Sequence, residues 1–145
     1  MEILVRPARP SEQAALGALK LAASLAWGDH VEEIRALPDA GSIDDRTLAA
    51  AFVAEADGAL AGFASLSFQG DRAELDDLFV DPQLWRRGLG AALVEEAARA
   101  GASGAKAIRV VANPRAEAFY RACGFIEVGE SQTLFAPAPV MEMRL

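Results

Sequence analysis

Residues 75–90 read LDDLFVDPQLWRRGLG, from Leu75 to Gly90. The run opens as a strand, is stopped by Asp81-Pro82, and turns through a glycine-rich segment into an apolar helical face formed by Leu89, Leu93, Val94, Ala97 and Ala98. Gly101 to Gly104 close that helix, and Ile108-Arg109-Val110-Val111-Ala112 reads as a further strand. Strand, glycine loop, helix and strand in this order predict a parallel crossover unit. At the mouth of the helix, backbone N–H groups without helical partners converge where the macrodipole is positive. Gly88 and Gly90 let the main chain approach an anion closely, and Arg86 and Arg87 can pair with its oxygens. The competing reading is a tight turn carrying two solvated arginines. The spacing fits neither a phosphate loop with its Lys-Ser/Thr nor a dinucleotide fingerprint, so a diphosphate without a transferable phosphoryl group suits it best.

The strand itself carries an anomaly. Leu75 and Leu78 are three apart, whereas Leu78 and Val80 keep the two-residue period of a sheet face. One extra residue near Asp76-Asp77 restores register as a β-bulge, which frees backbone groups beside the glycine loop; alternatively, Leu75 faces a different layer.

Upstream, Phe52-Val53-Ala54-Glu55 and Ala61 to Leu66 flank Asp57-Gly58, a hairpin signal, and a turn at Gly70-Asp71 leads into the strand from Ala73 to Val80. Ile3 to Pro7 is a short strand. Pro10-Ser11-Glu12 starts a helix with Leu16, Leu19, Ala23 and Ala26 at helical spacing, broken by Trp27-Gly28-Asp29-His30. Val31, Ile34 and Leu37 suggest a second helix, and Ala40 to Arg46 reads as loop. Downstream, Asn113 caps a helix with Pro114 at its first position and Gly124 as terminator. Phe125 to Val128 and Val140 to Leu145 are the last strands; the latter, as an exposed edge, can pair in a homodimer or pack internally.

The chain of 145 residues has the size of one domain, spanning 1–145. Its composition is that of an ordinary globule, 52% hydrophobic and 24% charged. A formal net charge of -7 disfavours nucleic acid and favours a cationic or neutral substrate. The single cysteine, Cys123, cannot form an internal disulfide, and no leader pattern opens the chain, so a cytoplasmic protein is the expectation. No apolar run approaches the ~20 residues of a membrane span, and no Cys, His and carboxylate cluster suggests a metal site.

Residues 75–90 resemble the acetyl-CoA motif of the GNAT N-acetyltransferase superfamily. Asn113-Pro-Arg-Ala-Glu-Ala-Phe-Tyr-Arg-Ala-Cys-Gly-Phe125 resembles its second motif. The resemblance implies an α+β fold of three layers, with a mixed, mostly antiparallel sheet of about six or seven strands flanked by about four helices. It implies acetyl-CoA as cosubstrate, no metal, and a small-molecule or peptide amine as acceptor. Carried over by position, it assigns the backbone of Leu78, Phe79 and Val80 to the pantetheine arm and Arg86, Arg87, Gly88, Leu89, Gly90 and Ala91 to the diphosphate. Asn113 faces the pantetheine, and Tyr120 stands near the sulfur. The family pattern often has Gln or Arg where this chain has Trp85.

Transfer from a thioester needs a neutral amine, a donor for the developing oxyanion and often a proton for the thiolate. Backbone N–H groups near Leu78 and Phe79 are candidates for the second task and Tyr120 for the third. Glu74, Asp76 and Asp77 are candidate bases, with Glu74 first; each is equally readable as part of a solvated acidic face. Trp27 and His30, in a segment that in this family often borders the acceptor pocket, are candidate substrate contacts. Cys123 is most simply a small buried apolar residue. The alternatives to an enzyme are a non-catalytic acyl-CoA-binding domain and an unrelated α+β interaction module.

Overall fold

The computed structural model describes residues 1–145. Seven strands form one sheet: β1 (Ile3–Pro7), β2 (Ala51–Ala56), β3 (Ala59–Gln69), β4 (Arg72–Val80), β5 (Ala107–Val111), β6 (Ile126–Gln132) and β7 (Pro137–Arg144). The helices are α1 (Gln13–Ala26), α2 (Val31–Ala36), α3 (Asp45–Ala49), α4 (Leu89–Gly101) and α5 (Glu117–Ala122). The strand order is β1-β2-β3-β4-β5-β7-β6. β4 and β5 pair in parallel, as the crossover through α4 requires, while β1–β2, β2–β3, β5–β7 and β6–β7 are antiparallel. This is the mixed α+β sheet expected from the sequence. No helix is long and apolar enough to cross a membrane.

The chain folds into two compact units, residues 1–65 with 77–93 and residues 66–76 with 94–145. In the first, Leu16 of α1, Ile43, Ala51, Val53 and Phe63 form a buried cluster against which Phe79 packs. α1 comes very close to the segment before α3, because a Cβ on Gly17 would lie 2.4 Å from the carbonyl oxygen of Gly41. In the second unit, α5 ends in a Schellman closure: Phe125 N–H donates to Tyr120 O and Gly124 N–H to Arg121 O, both at 3.0 Å. That turn seats the buried Phe125 ring edge-on to Tyr120, with centroids 5.5 Å apart.

The alternation of β4 slips once, where the sequence places its anomaly. Ala73 lies against Gly101 of α4, and Val80, seven residues on, crowds the same side of Gly62 as Leu93 of α4. Strict alternation would put residues an odd number apart on opposite faces. Asp77 and Phe79 instead meet Ser65 and Phe63. One residue is therefore taken up between Ala73 and Asp77, as in a bulge.

Two expectations are corrected. The segment from Ala40 to Arg46 is not all loop, because Asp44 accepts from Thr47 N–H at 2.7 Å and starts α3 at Asp45. This is an Asp N-cap, whose signal was masked by the short apolar content of the turn that follows. The strand near Val140 to Leu145 is not an edge: β7 begins at Pro137 and lies between β5 and β6, and β1 and β6 are the outer strands.

Candidate active site

The loop between β4 and α4 is built by short-range bonds. Asp81 accepts from Gln83 N–H at 3.0 Å and, with Pro82, sets a single 3₁₀ turn, Pro82–Leu84. Trp85 follows; its Nε1–H donates to the carbonyl of Val80 at 2.9 Å, and its ring lies 4.7 Å from that of Trp27. The side chain thus fastens the loop to the end of its own strand and to the segment after α1. Arg86 then takes a left-handed backbone (φ 64°) and Gly88 another (φ 88°). A non-glycine residue in that region is uncommon and costly, and such strain clusters at ligand clamps.

The first bond of α4 back into the loop runs from Ala92 N–H to Gly88 O, at 3.0 Å. Leu89, Gly90 and Ala91 therefore precede the first turn's acceptors, and their N–H groups point along the axis toward the loop. The residue at the cap is a glycine, which brings no side chain to satisfy them. Arg86, Arg87 and Gly88, which lead into these amides, are exposed. A diphosphate fits this donor set of main-chain N–H groups, a helix N-terminus and two guanidinium groups.

On β4, Asp76 is exposed, while Asp77 is part-buried and accepts from the Ser65 hydroxyl at 2.5 Å. Asp77 lines a pocket of about 180 Å³ together with Lys20, Asp39, Ser42, Ile43, Asp44 and Thr47. The wall is pinned by Lys20, whose ammonium donates to the carbonyls of Ser42 (3.2 Å) and Asp39 (3.4 Å), and by Gln13, which donates to Ile43 O at 3.0 Å. Glu74 is engaged elsewhere, accepting from Arg72 Nε at 2.9 Å.

Tyr120 is buried between the rings of Phe119 and Phe125. Burial pushes its phenol above the usual range, so it is protonated at neutral pH. Burial also pushes the Cys123 thiol up, which disfavours the thiolate that a nucleophile needs. Asn113 is exposed, and its side chain accepts from Arg115 N–H at 2.9 Å, which caps the turn before α5. His30 has a left-handed backbone (φ 56°) and its Nδ1 lies 3.1 Å from Glu33. Trp27 lies on Trp85.

Many of the sequence-derived candidates are neighbours in the chain, within residues 77–91, and of the rest only Trp27 is seen in contact with that stretch. Three parts of the arrangement escaped sequence reading: the tether made by the Trp85 indole, the Ser65–Asp77 bond, and the pocket wall from Asp39 to Thr47. The Asp44-to-Thr47 cap was the one available signal for the last; the other two depend on contacts across the sheet or across a turn.

The profile of the acetyltransferase (GNAT) family matches residues 19–125. Among solved structures, a GCN5-related N-acetyltransferase from Rhodopseudomonas palustris superposes with a TM-score of 0.82 at 25% identity, over 100% of this chain and 97% of its own. The PaiA N-acetyltransferase of Thermoplasma acidophilum, solved in complex with coenzyme A, gives 0.77 at 18% identity over 100% of both chains. The ribosomal-protein-S18-alanine N-acetyltransferase of Escherichia coli gives 0.73 at 21% identity, over 99% of this chain and 94% of its own. No curated protein matches the chain in sequence. With most of its length matched by the family profile, and with the fold and glycine loop described above, the chain belongs to the acetyltransferase (GNAT) family and is an acyltransferase.

Proposed function

We propose that the protein transfers an acetyl group from acetyl-CoA to a primary amine by direct attack within a ternary complex. The observation that carries this reading is the loop at Arg86 to Gly88, held in an unusual backbone and opening three successive amides of α4. These amides and the two arginines hold the diphosphate. The backbone of Leu78, Phe79 and Val80 takes the pantetheine arm as a strand would, with Asn113 as a further contact. The fold relative solved with coenzyme A supports the choice of ligand.

The acceptor's neutral nitrogen forms the new C–N bond as the thioester C–S bond breaks. Its surplus proton passes to a carboxylate, directly or through water. Among Glu74, Asp76 and Asp77 we favour Asp77, because it alone lines the pocket, whereas Glu74 accepts from Arg72. The departing sulfur takes the proton of Tyr120. N–H groups freed by the slip in β4 polarise the carbonyl. The pocket holds three carboxylates and one ammonium, a field that favours a cationic acceptor, small or the end of a peptide. Trp27 acts through the loop that it props, and His30 lines the acceptor's approach.

Calorimetric titration with coenzyme A and acetyl-CoA, followed by a thiol-release assay over a panel of amines, tests this. Binding with turnover is expected. Binding with no turnover on any amine would leave a non-catalytic acyl-CoA-binding domain, and no heat with either ligand would end the proposal.

A further inference from the structure

Ser65 is the one polar residue among the fully buried side chains, only 2% exposed on β3, with Ala51 as its cross-strand partner and Ala64 and Leu66 beside it. A hydroxyl in such surroundings is costly unless bonded, and alanine would fill nearly the same space without that cost. Its bond to Asp77 Oδ2, at 2.5 Å, is a charge-assisted contact of the short kind that a carboxylate makes with a hydroxyl. The pair sits where the alternation of β4 has slipped, so that Asp77 rather than a neighbour turns toward Ser65 and the pocket. The charged groups around that pocket are Lys20 from α1, Asp39 from the segment after α2, and Asp44 at the head of α3.

We propose that Ser65 is a positioning residue for acyl transfer: it fixes the rotation of the Asp77 carboxylate, so that Asp77 meets the acceptor amine in one geometry. This rests on the reading of the pocket as the acceptor site. Held at one oxygen, the carboxylate loses its free rotation before the substrate arrives, and loose placement of a reacting group is costly in rate.

The test is a cycle of Ser65→Ala, Asp77→Asn and the double variant, with kcat and KM for the best amine of the panel and the Kd for coenzyme A. Ser65→Ala is expected to lower kcat/KM on the order of tenfold, through kcat rather than KM, and to leave coenzyme A affinity intact. Ser65→Cys, similar in size with a weaker donor, falls between. In the Asp77→Asn background, Ser65→Ala causes no further loss. Full activity in Ser65→Ala beside a defective Asp77→Asn, or losses that multiply in the double variant, would overturn the proposal. Full activity in Asp77→Asn would overturn it too, together with the assignment of the acceptor pocket. Failure of wild-type protein to bind coenzyme A would instead sink the enzymatic reading as a whole, which the affinity measurement reports separately.

Discussion

At the scale of single residues, the proposed site joins side chains assigned to substrate with others that would act through neighbours. Tyr120→Phe removes one oxygen from a buried ring that keeps its aromatic neighbours. We expect kcat to fall about a hundredfold with coenzyme A affinity unchanged; a phenol that serves packing alone would leave kcat untouched. Trp85→Phe keeps a ring against Trp27 but loses the bond to Val80 O. A lost bond of about 1 kcal/mol gives a roughly fivefold rise in Kd for coenzyme A, measurable by calorimetry. Arg6 shows a structural use of charge in the same unit. It donates to Glu12 and Glu55, and the bond from Arg6 holds the Glu12 carboxyl down at about 2. Because the folded value is depressed, this stabilisation is complete above the ordinary value of 4.5 and is lost as pH falls from there toward about 2. Glu12→Gln should lower Tm at pH 7 and flatten its acid dependence across that window; an unchanged acid limb in a pH series of melts would contradict it.

At the scale of elements, close approaches decide more than propensities. Alanine at position 17 would place its Cβ 2.4 Å from a backbone oxygen of Gly41 and 2.9 Å from the Cα of Ser42. No side chain can yield there, so α1 or the pocket wall must move. Gly17→Ala should cost about 1–3 kcal/mol in denaturant unfolding and raise KM for the amine. Gly88 is different, because a Cβ there has room and meets only Ile3 at 4.0 Å; the obstacle is its φ of 88°. Gly88→Ala therefore acts on the loop's conformation, and weaker coenzyme A binding with modest loss of Tm is expected.

The elements were legible wherever their signals were local. Asp57-Gly58 announced its hairpin, and the structure gives both residues the positive φ that such a turn needs. Leu89, Leu93, Val94 and Ala97 announced the buried face of α4. The place of β7 inside the sheet was not legible, since strand order is set by pairings between distant segments. The short α3 was hidden for a different reason: five residues carry too little periodicity to stand out, and only the Asp44 cap marked it.

At the scale of the whole molecule, the net charge of -7 opposes the anion binding proposed for the loop, so on that reading the loop supplies its attraction locally. The sequence revealed this loop because strand, turn and helix are contiguous there. It left the pocket proposed for the acceptor obscure because Lys20, Asp39, Asp44 and Asp77 come together only through folding. Direct transfer in a ternary complex also makes Cys123 dispensable. Cys123→Ala should retain activity and show intersecting initial-rate lines, whereas parallel lines in the wild type would indicate an acyl-enzyme.

The central claim is that the amides at the start of α4 grip a diphosphate. It is tested most directly by following backbone amide NMR signals while coenzyme A, and separately pantetheine, is added. The expected result is that Gly88, Leu89, Gly90 and Ala91 shift strongly with coenzyme A and scarcely with pantetheine, which lacks the diphosphate. Saturating coenzyme A that leaves these four signals where they were would contradict the account.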